Sequence, residues 1–170
     1  MAGKNPLKML SYGNLLTVAA PTAAVLSGIA AKNSDAGIVS GVLIEVAAAS
    51  MFFLGFKSIK TGSRLGLAGS LLLIVSLIAA SVSLLAVLNG DIGMSIVLTV
   101  SVLMLFVAQF LIGAAFYKLG LMYSEVLIRI GGMLMIFLPS FGALMNLFGL
   151  NRIMSRERLE KKIDIDDSDN

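Results

Sequence analysis

Apolar residues in this chain run in long blocks, not in the short stripes of a soluble domain. Five stretches come near the roughly 20 apolar residues that a helix needs to cross a hydrocarbon core about 30 Å thick. They are 13–31, 36–56, 67–88, 92–117 and 121–150. Polar positions collect between them. The links at 32–35 and 89–91 are very short, which predicts that segments one and two, and segments three and four, form antiparallel hairpins. The link 57–66, KSIKTGSRLG, is longer and basic. From residue 151 the chain becomes a charged tail, 151–170, predicted to be helical near 151–163 and to fray towards its acidic end. The start, MAGKNPLKML followed by an apolar run, has the pattern of a secretory signal. The length of the run, Pro21 in its middle and its stripe of small residues predict a first membrane span instead.

The expected fold is therefore an all-α polytopic transmembrane bundle over residues 1–150, made of five membrane segments. Lys and Arg mark the cytoplasmic side of such bundles. With the N-terminus cytoplasmic, that side receives Lys4, Lys8, Lys57, Lys60, Arg64 and Lys118, and the other side only Lys32. Tyr12, Tyr117 and Tyr123 would form an aromatic belt at the same interface. The fifth segment strains this scheme. As a full span it would send Arg152, Arg156, Arg158, Lys161 and Lys162 outside. A break near Pro139–Gly142, in a segment that also holds Gly131 and Gly132, would return them inside. Irregular backbone is viable in a membrane only where protein buries it or it lines a cavity. A plain span is thus the simpler expectation, and a broken or re-entrant segment is the alternative.

Composition agrees with a membrane class. Hydrophobic residues make up 58% and charged residues 14%, against about 45–50% and about 25% in soluble domains. That excludes an ordinary globular domain, a disordered chain and a nucleic-acid-binding module. There is no Cys and no His, so disulfide and thiolate chemistry are absent and the commonest metal ligand and acid–base group is missing. No catalytic constellation is recognisable, and no metal or cofactor is expected. The ten Met residues include one close pair, Met133 and Met135, which reads as flexible apolar packing ahead of copper handling.

Within the apolar blocks a few positions stand out. Ala20, Ala24 and Gly28 lie at i, i+4 and i+8, with Ala23, Ser27 and Ala31 beside them, and Gly37 and Gly41 form a GxxxG. Such stripes let helix backbones approach closely in lipid. Glu45, in IVSGVLIEVAAAS, is the sharpest feature. An ionised side chain at mid-bilayer costs at least about 2.5 kcal/mol, and such residues usually face a bundle interior or a wet cavity. Counting depth at about 1.5 Å per residue puts Thr22, Ser81, Thr99 and Ser101 at its level, together with Pro21, which frees the carbonyl of Thr17. The functional reading is a proton- or cation-linked site, and the plainer one is a carboxyl that glues helices by hydrogen bonding. The same count sets Gln109 about 12 Å away from that layer, out of contact with Glu45. Glu125 and Arg129, at i and i+4, are expected to form an interfacial ion pair. Asn146 is placed to bond a partner helix.

The stretch FYKLGLMYSEVLIRIGGMLMIFLPSFGALMNLFGLNRI, with Phe116, Tyr117, Leu119, Gly131, Gly132, Leu134, Gly142 and Gly149, is similar to the last segments of small archaeal multi-pass membrane proteins of unknown function. The likeness covers the C-terminal third and implies a polytopic membrane protein without implying an activity. The functional expectation is an integral membrane protein without a catalytic site, an accessory subunit of a larger membrane complex. The alternative is a small oligomeric proton- or cation-linked carrier or channel working through the Glu45 layer. The expected partners are membrane lipids and other membrane subunits or further copies of the chain. The expected location is the cell membrane.

Overall fold

A computed structural model describes residues 5–59 and 63–168. Lys4 and Lys60, counted in the orientation argument, lie outside them. Among the described residues six α-helices follow one another: α1 (Pro6–Ala31), α2 (Ser34–Lys57), α3 (Ser63–Leu88), α4 (Ser95–Met122), α5 (Val126–Met135) and α6 (Pro139–Ser168), with one 3-10 turn, Ile92–Met94, ahead of α4. The helix ends follow local chemistry. Asn5 caps α1 by accepting from the amide of Leu7 at 3.0 Å, and Pro6 sits in the first turn, where no amide is needed. Lys32 ends α1 in the left-handed region, and Asn33 at once caps α2 by accepting from Asp35 at 2.8 Å. The two helices thus turn back on themselves in two residues. Gly90, at φ 95°, does the same between α3 and α4.

Four helices, α1 to α4, are long and apolar enough to cross a bilayer. Only 17–22% of the residues in their most apolar windows are buried inside the protein, which leaves most of their apolar surface on the outside, as suits contact with lipid or another protein. Each helix packs against its chain neighbours, and α6 packs back on α1, which closes a ring in sequence order. The antiparallel hairpins put the start of α1 and the ends of α2 and α4 at one end of the ring, here the terminal end. The turns at 32–33 and 89–91 form the loop end.

The fifth predicted segment is not a span. It breaks after Met135, and α5 and α6 run antiparallel: Gly142 lies against Met135 and Gly131, and Gly149 against Ile128. The ten residues of α5 rise about 15 Å, half a hydrocarbon core. The chain therefore enters from the terminal end, turns at Ile136–Leu138 and returns. This reconciles the tail with the basic residues of the terminal end, since α6 carries Arg158 back beside Lys8, and Arg152 and Arg156 to Glu125 at the same end. The tail is not a separate helix but a continuation of α6 through Ser168.

Backbone accounting explains why the break is tolerated. At the tip the amides of Ile136, Phe137 and Leu138 donate to carbonyls of the preceding turn, at 3.4, 3.1 and 2.7 Å. Pro139 has no amide to satisfy, and Leu138 accepts from Gly142 at 2.9 Å. Glycines then let backbones touch on both sides of α5. Gly113 of α4 abuts the Gly132 carbonyl, and a Cβ on Gly142 would lie 2.6 Å from the Gly131 carbonyl oxygen. Below the tip the ring is filled by Phe52, Phe56 and Phe116, stacked edge to face at 5.3 and 5.5 Å, together with Leu7, Leu10, Ile112, Ile128 and Leu150. Above the tip only four helices remain.

Replacing Gly142 with Ala should lower stability in micelles by about 3 kcal/mol, because the new methyl meets backbone that has nowhere to move. Gly93→Ala, in the open loop-end turn, should change it little. Equal, small losses in chemical unfolding curves would contradict the close-packed hairpin.

Candidate functional site

The α2–α3 register sets Gly66 against Phe56, and the α3–α4 register sets Gly69 against Ile112. Carried along the helices, these contacts place Glu45 level with Leu77 and Gln109 within about one to two turns of it, roughly 7 Å deeper. The expected 12 Å separation is therefore too large. It came from counting each helix from its sequence boundary, whereas the tight turns and the 3-10 turn before α4 set the true register. Both side chains reach one cavity of about 380 Å³, lined also by Leu73, Leu77, Val102, Leu105, Phe106 and the hairpin tip: Ile136, Phe137, Pro139 and Ser140. Gln109 brings to it a buried amide oxygen without a hydrogen-bond partner. Ser140 brings a hydroxyl from the first turn of α6, a turn whose leading amides have no intrahelical acceptor.

Glu45 also borders a second concavity. A groove of about 550 Å³ runs from it towards the loop end between α1 and α2, lined by Ala24, Val25, Gly28, Ile29, Gly37, Ile38, Gly41 and Val42. Glu45 and Leu77 are common to both spaces and form the partition between them. The groove exists because the α1–α2 contact is built from small residues. Gly28 and Gly37 meet backbone to backbone, Gly41 faces the Ala24 methyl, and Ser27 and Ser40 hydroxyls touch across the pair. Ala20 is buried on the same helix.

The predicted polar layer is not assembled. Thr22 and Thr99 are exposed, and the Thr99 hydroxyl donates to the Ser95 carbonyl at 2.9 Å. Ser81 and Ser101 donate to the Ile78 and Val97 carbonyls of their own helices, at 2.9 and 2.7 Å. None of the four lines either space. The depth count ignored azimuth: at 100° per residue Thr22 points well away from the face that meets α2. Thr17, five residues earlier, is on that face. It is fully buried, and its hydroxyl faces the Glu45 carboxyl but falls short of ordinary hydrogen-bond geometry. Sequence reasoning used Thr17 only for its carbonyl. The signal that could have found it is the spacing Leu10, Asn14, Thr17, which continues the inward stripe of α1.

At the terminal end the charges also pair differently from expectation. Glu125 does not pair with Arg129. Its carboxylate, 4% exposed, sits 3.7 Å from Arg152 and 3.6 Å from Arg156 on α6. The i, i+4 rule fails because Glu125 has extended backbone and precedes the first turn of α5. Arg129 instead packs its stem against Gly120, and its buried Nε has no partner. Both arginines are more than 60% exposed, so these pairs orient the hairpin more than they stabilise it. Nearby, burial and then the Glu157 carboxylate push the Tyr123 hydroxyl above its ordinary pKa. Asn146 bonds within the hairpin, its amide nitrogen 3.6 Å from the Met135 sulfur. Met133, by contrast, is exposed, so the Met pair does not converge on one side.

Four helices suited by length and composition to crossing a bilayer, in a ring completed by a shorter hairpin, are compatible with a multi-pass helical membrane protein. The chain belongs to the family described as Protein of unknown function (DUF973), which matches residues 10–166. No curated protein and no solved structure matches it.

A hydrophobic carbodiimide should label Glu45 in the solubilised protein, as read by mass spectrometry, because the apolar groove leads to its carboxyl. Thr22→Val should leave the labelling rate unchanged, whereas Thr17→Val should alter it. Preferential labelling of Glu125, or sensitivity to Thr22 alone, would contradict this geometry.

Proposed function

We propose that this protein is a small proton- or cation-linked carrier or channel of the cell membrane, working through the cavity at Glu45. The observation that carries the reading is the meeting of a re-entrant hairpin tip with an acidic and an amide side chain at mid-depth. Non-helical backbone at such depth is costly unless it is wrapped by protein or serves a cavity. Intramembrane carboxylates, in turn, mark ion pathways more often than they mark packing. Glu45 supplies the negative charge, Gln109 and Ser140 supply neutral oxygens, and the Leu77–Glu45 partition separates the cavity from the groove. The proposed orientation has the terminal end in the cytoplasm. Supporting it, Lys8, Lys57, Arg64, Lys118, Arg152 and Arg156 gather at that end, and the loop end carries Lys32 with Asp35 and Asp91.

An accessory-subunit role remains the competing reading and is an outcome of the same test. The full chain, purified and reconstituted in liposomes, should dissipate an imposed cation or proton gradient. Glu45→Gln should abolish the flux with expression intact. Leu77→Ala, which thins the partition, should raise it. No flux above empty liposomes, with stoichiometric co-purification of a foreign membrane protein, would overturn the carrier reading in favour of the subunit.

A further inference from the structure

We infer that the cation taken at Glu45 is a hydrophobic organic cation that enters sideways from the lipid through the α1–α2 groove. The inference rests on the reading that the Glu45 cavity is the working site, and it names the class of cargo. Three observations carry it.

The first is the supply of ligands. A bound metal cation such as Ca²⁺ takes six or more oxygens, on the order of 6–8. The cavity wall offers the Glu45 carboxylate, the Gln109 amide oxygen and the Ser140 hydroxyl, and is otherwise Leu, Val, Ile, Pro and Phe. Such a wall cannot replace the hydration shell of an inorganic ion. It suits a cation that carries its charge inside an apolar envelope and sheds little water on entry.

The second is size and shape. Spaces of about 380 and 550 Å³ fall in the range of sites for drug-sized molecules, about 300–1,000 Å³. Phe106 and Phe137, both exposed, stand at the open edge of the Glu45 cavity, and aromatic faces attract diffuse cations beyond their apolar contact.

The third is the route. The groove is walled by apolar and small side chains from the Ser34 level down to Glu45, and Val25 and Ile29 on its rim are exposed where lipid would lie. A hydrophobic cation partitions into that layer unaided, and the first charge it meets along the groove is the Glu45 carboxylate. A hydrated ion gains nothing from such a path.

The test is equilibrium binding of labelled tetraphenylphosphonium to the purified full chain in detergent, alongside the liposome flux assay. Saturable binding is expected, weakened about tenfold or more by Glu45→Gln, as for a lost buried charge partner. It should be largely kept by Glu45→Asp and weakened about threefold to tenfold by Phe137→Ala. Uncharged tetraphenylsilane should not displace the label, and excess sodium or potassium should not either. Monodisperse elution and unchanged helical circular dichroism check that each variant folds; if Glu45→Gln does not, Glu45→Asp and Phe137→Ala carry the test. Absence of saturable binding, equal binding by folded Glu45→Gln, or displacement by the silane would overturn the inference. Glu45-dependent flux of protons or metal ions without tetraphenylphosphonium binding would sink this inference and leave the carrier reading standing. Neither flux nor binding would remove both.

Discussion

The structure depends on one constraint: in lipid, every backbone amide and carbonyl must find a partner inside the protein. The continuous helices satisfy it along their length, except where Pro21 of α1 has no amide to donate to the Thr17 carbonyl. The break between α5 and α6 does not, and much of the molecule answers that break. The tip amides fold back on the preceding turn, and Pro139 removes a donor where none could be satisfied. Glycines at 113, 131, 132 and 142 let α4, α5 and α6 approach until backbones touch. The return of α6 onto α1 closes the ring, with the hairpin as part of its wall and Phe137, Leu138 and Phe141 of the tip on the outer surface.

The candidate site follows from the length of the hairpin. Because α5 and α6 fill only half the depth, the bundle is close-packed around Phe52, Phe56 and Phe116 below the tip and thinly packed above it. Glu45 sits where these regimes meet. One side of it faces the tip, with Gln109 and Ser140, and the other faces the groove made by the small residues of α1 and α2. A full fifth span would fill that upper space and leave the carboxyl against packed side chains. The open space beside Glu45 is a consequence of a segment that stops halfway.

Much of the fold is legible in the sequence. The four spans are marked by length and apolarity, and their hairpins by two- and three-residue links such as Lys32–Asn33. Even the break left traces in Gly131, Gly132, Pro139 and Gly142 and in the basic tail that a full span would misplace. Azimuth and register were not legible. With nearly every position on these helices apolar, the stripe that faces inward has little contrast, so a depth count selected Thr22 where the structure selects Thr17. The place of Gln109 is illegible for the same reason, since only contacts such as Gly66 with Phe56 fix how far one hairpin slides against the other. The partner of Glu125 lies on α6, beyond the turn, and no local spacing rule reaches across a hairpin that has not yet been recognised.

The claim on which the rest stands is that the hairpin tip meets Gln109 at mid-depth. The chain has no Cys, so a pair introduced as Gln109→Cys and Ser140→Cys is unambiguous. A short bifunctional methanethiosulfonate applied to membranes should join the two within one chain, with the product running as a monomer and read after proteolysis as a cross-linked peptide pair. If residue 140 lies near the far end of a full fifth span, about 29 Å along the helix from residue 121, no such product forms, and the re-entrant account is wrong.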